Sequence, residues 1–203
     1  VILIVAKVLY TAPTVYPVKL GDDILQAHLG TNAIFNDIQY RRIEMLIKVA
    51  TDAAEKYTRR RFITQTWQVY LSAWPSGDSM KLPFGNLQSI THVKYTETDG
   101  TVTTWDSGEY NADIKQEPGR VVLEYGYTWP SASLHPQNPI EVQYVCGYGD
   151  TDTDVPESIR HAISVYVADL YENRQDINFT NQQMTQLKTF ESLLMPRRLW
   201  HEF

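Results

Sequence analysis

The apolar residues of this chain change their spacing twice. From Ile43 to Tyr57 they step by three and four, from Trp67 to Leu71 by two, and from Ile159 to Tyr171 by three and four again. A helix repeats roughly every 3.6 residues and a strand every two, so a helix, a strand region and a second helix follow in that order. The last pattern is the most regular. Ile159, Ala162, Ile163, Tyr166, Val167, Leu170 and Tyr171 fall on one helical face, which predicts a central helix opened by Asp154 and Pro156.

The earlier helix is expected from about Asp37 to Arg60. Ile43, Leu46, Ile47, Ala50, Ala53, Ala54 and Tyr57 form its apolar face, and the small alanines allow a close neighbour. A short helix, Asp22 to Leu29, precedes it, with acids first and Gly30 last. A final helix around Gln182 to Leu194 carries Leu187, Phe190 and Leu194 on one side, and Pro196 ends it.

Arg59, Arg60 and Arg61 are placed by this reading in the last helical turn, where cations meet the negative end of the helix dipole. An intersubunit ion pair and a phosphate contact are the alternatives. After Phe62 the alternation begins, with Trp67, Val69 and Leu71 on one side and Thr66, Gln68 and Tyr70 on the other. Further strands are read in "MKLPF", "LQSITHVKYTETDGTVTTW", "EYNADI", "RVVLEYGYTW" and "IEVQYVCGYG". Asp99-Gly100 is a favoured hairpin turn in which both residues can take positive φ. Residues from about 65 to 149 therefore read as a compact antiparallel β unit, a small barrel or sandwich.

With 203 residues the chain suits one domain, and five Trp, thirteen Tyr and six Phe supply core area. A net charge of −6 opposes general affinity for a phosphate backbone. Cys146 is the single cysteine, which excludes an internal disulfide and fits a reducing compartment. The opening "VILIVAKVLY" is apolar and β-branched, too short to span a bilayer, and reads as a strand or an arm that pairs with a neighbour.

The chemistry-bearing patterns are sparse. Gly147-Tyr148-Gly149 follows a strand, but Asp152 stands where a third glycine of a dinucleotide loop would be. Asp150, Asp152 and Asp154 resemble the start of a calcium loop, yet Val155 and His161 occupy the turn-glycine and bidentate-glutamate positions. The five histidines, at 28, 92, 135, 161 and 201, have no ligand spacing among them. No nucleophile, base or cofactor loop is identified, so no catalytic, cofactor or metal residue is expected.

Taken in order, "VKLGDDILQAHLGTN", Asn36-Asp37, "LIKVATDAAEKYTRRRFITQTW", "MKLPFGNLQSITHVKY", "GRVVLEYG", "VQYVCGYGD" and "VPESIRHAISVYVADLYENR" resemble the head–tail connector proteins of tailed phages, also called adaptor or head-completion proteins. The resemblance covers about residues 18 to 196. It implies an α+β fold in which a small helical bundle, formed by N- and C-terminal helices, carries an inserted antiparallel β subdomain. The corresponding boundaries are a helical core at about 20–64 and 154–195, a β insertion at about 65–150 and a docking tail at 196–203.

It also implies a non-enzymatic virion protein, made in the host cytoplasm and placed at the head–tail junction. Its copies, usually twelve, would form a ring beneath the portal, extend the DNA channel and meet a tail-side stopper or tail component. DNA would pass without specific binding, and no membrane is involved. Portal docking falls on Arg197, Arg198, Leu199 and Trp200 within Met195 to Phe203. Bundle packing falls on Ile43, Leu46, Ile47, Ala50, Ala54 and Tyr57, with Ile159, Ile163, Tyr166, Val167 and Leu170. The alternatives are a carbohydrate- or nucleic-acid-binding β module on a helical stalk, and a hydrolase using scattered carboxylates.

Overall fold

The computed structural model describes residues 4–29, 36–172 and 181–200, with the backbone alone for 181–187. Among the described residues there are four α-helices and eight strands, and the paired strands are all antiparallel. The chain divides into two compact units. One comprises Val1–Pro13, Thr64–Tyr148 and Leu199–Phe203, the other Thr14–Ile63 and Gly149–Arg198. Among the described residues no helix is long and apolar enough to cross a membrane.

The second unit holds α1 (Asp23–Leu29), α2 (Asp37–Thr58), α3 (Glu157–Glu172) and α4 (Asn181–Leu194). Asn36 starts α2 with a capping box: its side chain accepts the Gln39 N–H while the Gln39 side chain accepts the Asn36 N–H, both at 3.0 Å. Two of the N–H groups a helix start leaves open are thereby satisfied. The regular apolar stripe of α3 reaches α1, α2 and α4, which makes it the central helix. Ile43, Leu46, Ile47, Ala50 and Ala54 of α2 are buried, as are Ile159, Ala162, Ile163 and Val167 of α3. Tyr57, Tyr166 and Leu170 are half-buried. Two of them meet at α4, where the Phe190 ring lies 4.7 Å from Tyr166 and 6.4 Å from Tyr57.

α2 stops earlier than its sequence suggests. Arg59 turns left-handed at φ 58° and its N–H caps the Glu55 carbonyl, so the helix ends at Thr58. The arginine run lies past the helix rather than in its last turn. Arg60 is buried and donates from Nε to the Arg197 carbonyl, and Arg61 pairs with Glu55 at 2.8 Å. Helix periodicity carries no information on either contact, because each is made outside the repeating segment.

The α1–α3 contact brings His28 Nε2 to 3.3 Å from His161 Nδ1. Burial, followed by the charge His161 would carry, lowers the His28 pKa from 6.5. A histidine kept neutral in the folded chain stabilises it above the unfolded pKa, and that contribution is lost as pH falls through the lowered value. The urea midpoint is expected to be flat above the ordinary histidine range and to decline below it. His28→Gln should flatten that decline; an unchanged decline in the variant would remove His28 as its source.

The first unit contains β1 (Ile4–Thr11), β2 (Gln65–Leu71), β3 (Ser79–Lys81), β4 (Leu87–Thr96), β5 (Val102–Thr104), β6 (Tyr110–Asp113), β7 (Arg120–Leu123) and β8 (Ile140–Cys146). A five-stranded sheet runs β1-β2-β8-β4-β5 and a three-stranded sheet β3-β7-β6. Both contribute to one core, with Trp67, Val69 and Leu71 from β2, Met80, Val93, Tyr110 and Val121 from β3, β4, β6 and β7, and Ile140, Val142, Tyr144 and Cys146 from β8. The strict alternation of β2 is preserved. β8 departs from it only at Gln143, which is buried although it stands in the outward-facing set. Its amide oxygen accepts from Gln68 at 2.9 Å, which offsets the desolvation of a polar group.

The β4–β5 hairpin differs from the expected turn. Only Gly100 of the Asp99-Gly100 pair has positive φ, at 89°, and the Glu97 carbonyl accepts its N–H, while Asp99 Oδ1 accepts the Thr101 N–H. A tight turn followed by a left-handed glycine is the longer of the common hairpin connections. Gly119 has a different reason to be glycine: a Cβ there would stand 2.3 Å from Leu87 Cβ. Gly119→Ala should destabilise the chain by about 1–3 kcal/mol through overpacking, measured by urea denaturation; a loss under about 0.5 kcal/mol would mean that β4 yields freely.

Candidate docking interface

The C-terminal segment is tied down before it reaches the surface. α4 ends at the buried Leu194, and a single 3-10 turn over Met195–Arg197 follows with Pro196 in its first turn. The Arg198 N–H closes it on the Met195 carbonyl. The buried Arg60 binds the Arg197 carbonyl from α2's end, and the Arg198 guanidinium sits 5.1 Å over the Tyr57 ring. Cation and ring attract through the ring's quadrupole, so Arg198 is held on the helical unit.

The four expected docking residues therefore separate. Arg197 and Trp200 are exposed, Trp200 at 63 %, while Arg198 is half-buried and Leu199 is 5 % exposed within the single chain. Met195, at the start of the expected tail, is also exposed. Within the helical unit, Met195 and Arg197 face outward beside a base made by Arg60, Tyr57 and Arg198. The arginine run was the signal for that base, although its role could not be read from neighbours in sequence. Residues 201–203 lie outside the described residues.

A second charged centre lies where α3 begins. Arg160 is buried, with Nε donating to the Pro17 carbonyl at 3.1 Å, Nη1 to Glu157 at 3.0 Å and Nη2 to Asp22 at 2.5 Å. Asp152 lies 3.9 Å from the same guanidinium and 2.5 Å from the Lys19 ammonium. The hydrogen bond from Lys19 holds the Asp152 carboxyl below its usual range. Asp154 accepts the N–H and hydroxyl of Thr151, both at 2.8 Å, which lowers its pKa too. These acids orient the start of α3 through cations and caps. Among the described residues no group of three His, Cys, Asp or Glu could hold a metal ion.

The Gly-Tyr-Gly stretch has a local explanation. Gly147 takes φ 140°, donates its N–H to the Asn86 carbonyl and accepts from Gln88 Nε2. A Cβ on Gly149 would stand 2.3 Å from Asp154 Oδ2. Both glycines serve close approach of neighbouring groups.

Most of the aromatic excess goes into the β unit. Trp74 stacks on Trp129 at 5.3 Å and meets Trp105 edge-on at 5.6 Å, and the Trp129 Nε1 donates to the Gly77 carbonyl. Tyr125, at 98 % exposure, Tyr127 and Tyr10 are exposed instead.

No family model matches the sequence. No curated protein is significantly similar to it. Solved structures are. A chain in the neck of an empty gene transfer agent particle, computed with C6 symmetry, superposes with a TM-score of 0.77 at 19 % identity, covering 98 % of this chain and 97 % of that one. The fold is that of a gene transfer agent neck chain. A chain in the virion of the native particle matches with a TM-score of 0.75 at 18 % identity, covering 97 % of each chain. The native neck computed with C12 symmetry gives 0.71 at 18 %, again covering 97 % of each. The neck fold thus extends over both units, including β1, for which the resemblance to connector proteins starting near residue 18 had no counterpart.

Proposed function

We propose that the chain is a structural subunit of a phage-type virion, located at the head–tail junction. It acts there as an adaptor: copies close into a ring below the portal, prolong the DNA channel and present a surface to the next tail-side component. The end-to-end likeness to neck chains supports this reading, since both units and the segments joining them find equivalents. The C12 symmetry of one such neck makes twelve the expected copy number. In this reading the β unit is an insertion carried by the helical bundle, and the role is mechanical rather than catalytic.

The net charge of −6 per copy fits a conduit. A wall with many phosphate-binding cations would hold DNA tightly and in a salt-dependent way, whereas a negative wall lets it slide. Arg197 and Trp200 carry the proposed portal contact, being exposed members of residue types enriched in binding hot spots. The subunit would be made in the host cytoplasm and retained in the virion.

Co-sedimentation of the purified full chain with portal rings tests the proposal. Trp200→Ala should weaken attachment at least about tenfold, equivalent to roughly 1.4 kcal/mol, with the circular dichroism of the free chain unchanged. Unchanged attachment would remove the docking role of the tail. A full chain that neither forms rings nor joins the portal would end the adaptor reading. The exposed Tyr125 and Tyr127 favour a second reading, a stacking surface for nucleic acid or sugar, whose mark would be tight binding to single strands or glycans by the monomer.

A further inference from the structure

Among the described residues β1 is an open edge of its sheet. It spans eight residues and pairs on one side with β2, while the strand at the opposite edge, β5, is three residues long. A long edge offers a row of backbone N–H and C=O groups to any other chain, and native proteins blunt such edges with proline, lysine, bulges or shortness. β1 contains no proline, and its single cation, Lys7, lies 5.5 Å over the Phe84 ring. The pairing has register shifts near each end, but Ala6, Lys7, Val8 and Leu9 run without interruption opposite Tyr70, Val69, Gln68 and Trp67.

The side chains are equally uncovered. Val5 is 51 % exposed, Val8 46 %, Leu9 42 % and Tyr10 62 %. Four large apolar residues within six positions are costly to leave in water, by roughly 25 cal/mol for each Å² of apolar surface.

We infer that β1 is the strand through which one copy of this chain docks on the next, its outer edge and exposed apolar side chains being covered by a second copy. The inference rests on the ring reading above. In a ring with cyclic symmetry each subunit offers two different patches, and every copy of a patch is covered when the circle closes. An open edge repeated on every copy is thus hidden in the ring and exposed only in the free monomer. A polyanion is a poor occupant, because Lys7 is the only cation on β1 and the chain is acidic.

The test compares full-length wild type with Val8→Glu/Tyr10→Glu. Both positions are exposed, so circular dichroism of the monomer should not change. The mass is followed against concentration by light scattering, with portal rings present and absent, and hydrogen exchange of the 4–11 peptide is measured in monomer and ring. Wild-type rings in which this peptide exchanges at least about tenfold more slowly, together with a variant needing at least about tenfold more protein to assemble, are the expected result. Rings formed equally well by the variant, or rings without slowed exchange, would overturn the role of β1 while leaving the ring reading intact. Slowed exchange that needs portal without contact between copies would overturn it in favour of a different partner. Wild type that stays monomeric under all conditions would sink the ring reading itself, and β1 docking with it.

Discussion

Replacing Arg160 by methionine is expected to destabilise the chain by about 3–5 kcal/mol, the loss usual when one partner of a buried ion pair is removed and the other charge stays. The Arg160 and Asp22 side chains are each only 10 % exposed. Methionine roughly keeps the volume but leaves the Asp22 carboxylate without its cation and the Pro17 carbonyl without its donor. Asp152 suffers less, because Lys19 remains. The double variant Asp22→Asn/Arg160→Met should recover part of the loss, since the uncompensated charge has gone. Urea denaturation followed by circular dichroism gives both values and the coupling between them. A single-variant loss under about 1 kcal/mol would mean that water reaches Asp22 and that Arg160 is not the post around which residues 17–22 and α3 are assembled. The Lys19–Asp152 contact is the internal contrast: Lys19 is 59 % exposed, and Lys19→Ala should cost less than about 1 kcal/mol.

The second large effect is expected at Phe62, where the chain passes from helix to strand. Its side chain is fully buried and its N–H donates to Glu55 Oε1 at 2.9 Å, while the other oxygen of that carboxylate takes Arg61 at 2.8 Å. Phe62→Ala should cost about 3–5 kcal/mol from lost burial and the cavity left behind, and Phe62→Leu should retain most of the stability. Burial raises the Glu55 pKa despite Arg61, so this carboxylate relies on its partners remaining in place. Thermal melting of the two variants separates the outcomes. A Phe62→Ala loss no larger than that of Phe62→Leu would mean that the site collapses around the missing ring.

The two large effects differ in how visible they were beforehand. Phe62 could be placed at the change of period between Tyr57 and Trp67, although its full burial was not read there. Arg160 gave no such sign, since it stands beside Ile159 as an ordinary polar neighbour in a helical pattern and its partner Asp22 is 138 residues away. The same holds for Arg60 and the Arg197 carbonyl, and for His28 and His161, which no sequence spacing joins.

By itself the sequence determined which segments are helices and strands and which side of each is apolar, because periodicity is a local property that burial acts on directly. The faces of α2 and α3 and the alternation of β2 needed no other information, and the order of the pieces was enough to suggest connector proteins. Only the tertiary structure decided where the charges go: Arg59 ends α2, Arg60 and Arg160 are buried on partners far along the chain, Leu199 turns inward and Trp200 outward. It also decided that β1 is an edge and β8 a centre, that Val8 is exposed and that Gln143 is buried. The reason is that a charge or a sheet edge is stable or costly according to the groups brought beside it in space. Those groups come from elements whose positions no local repeat encodes.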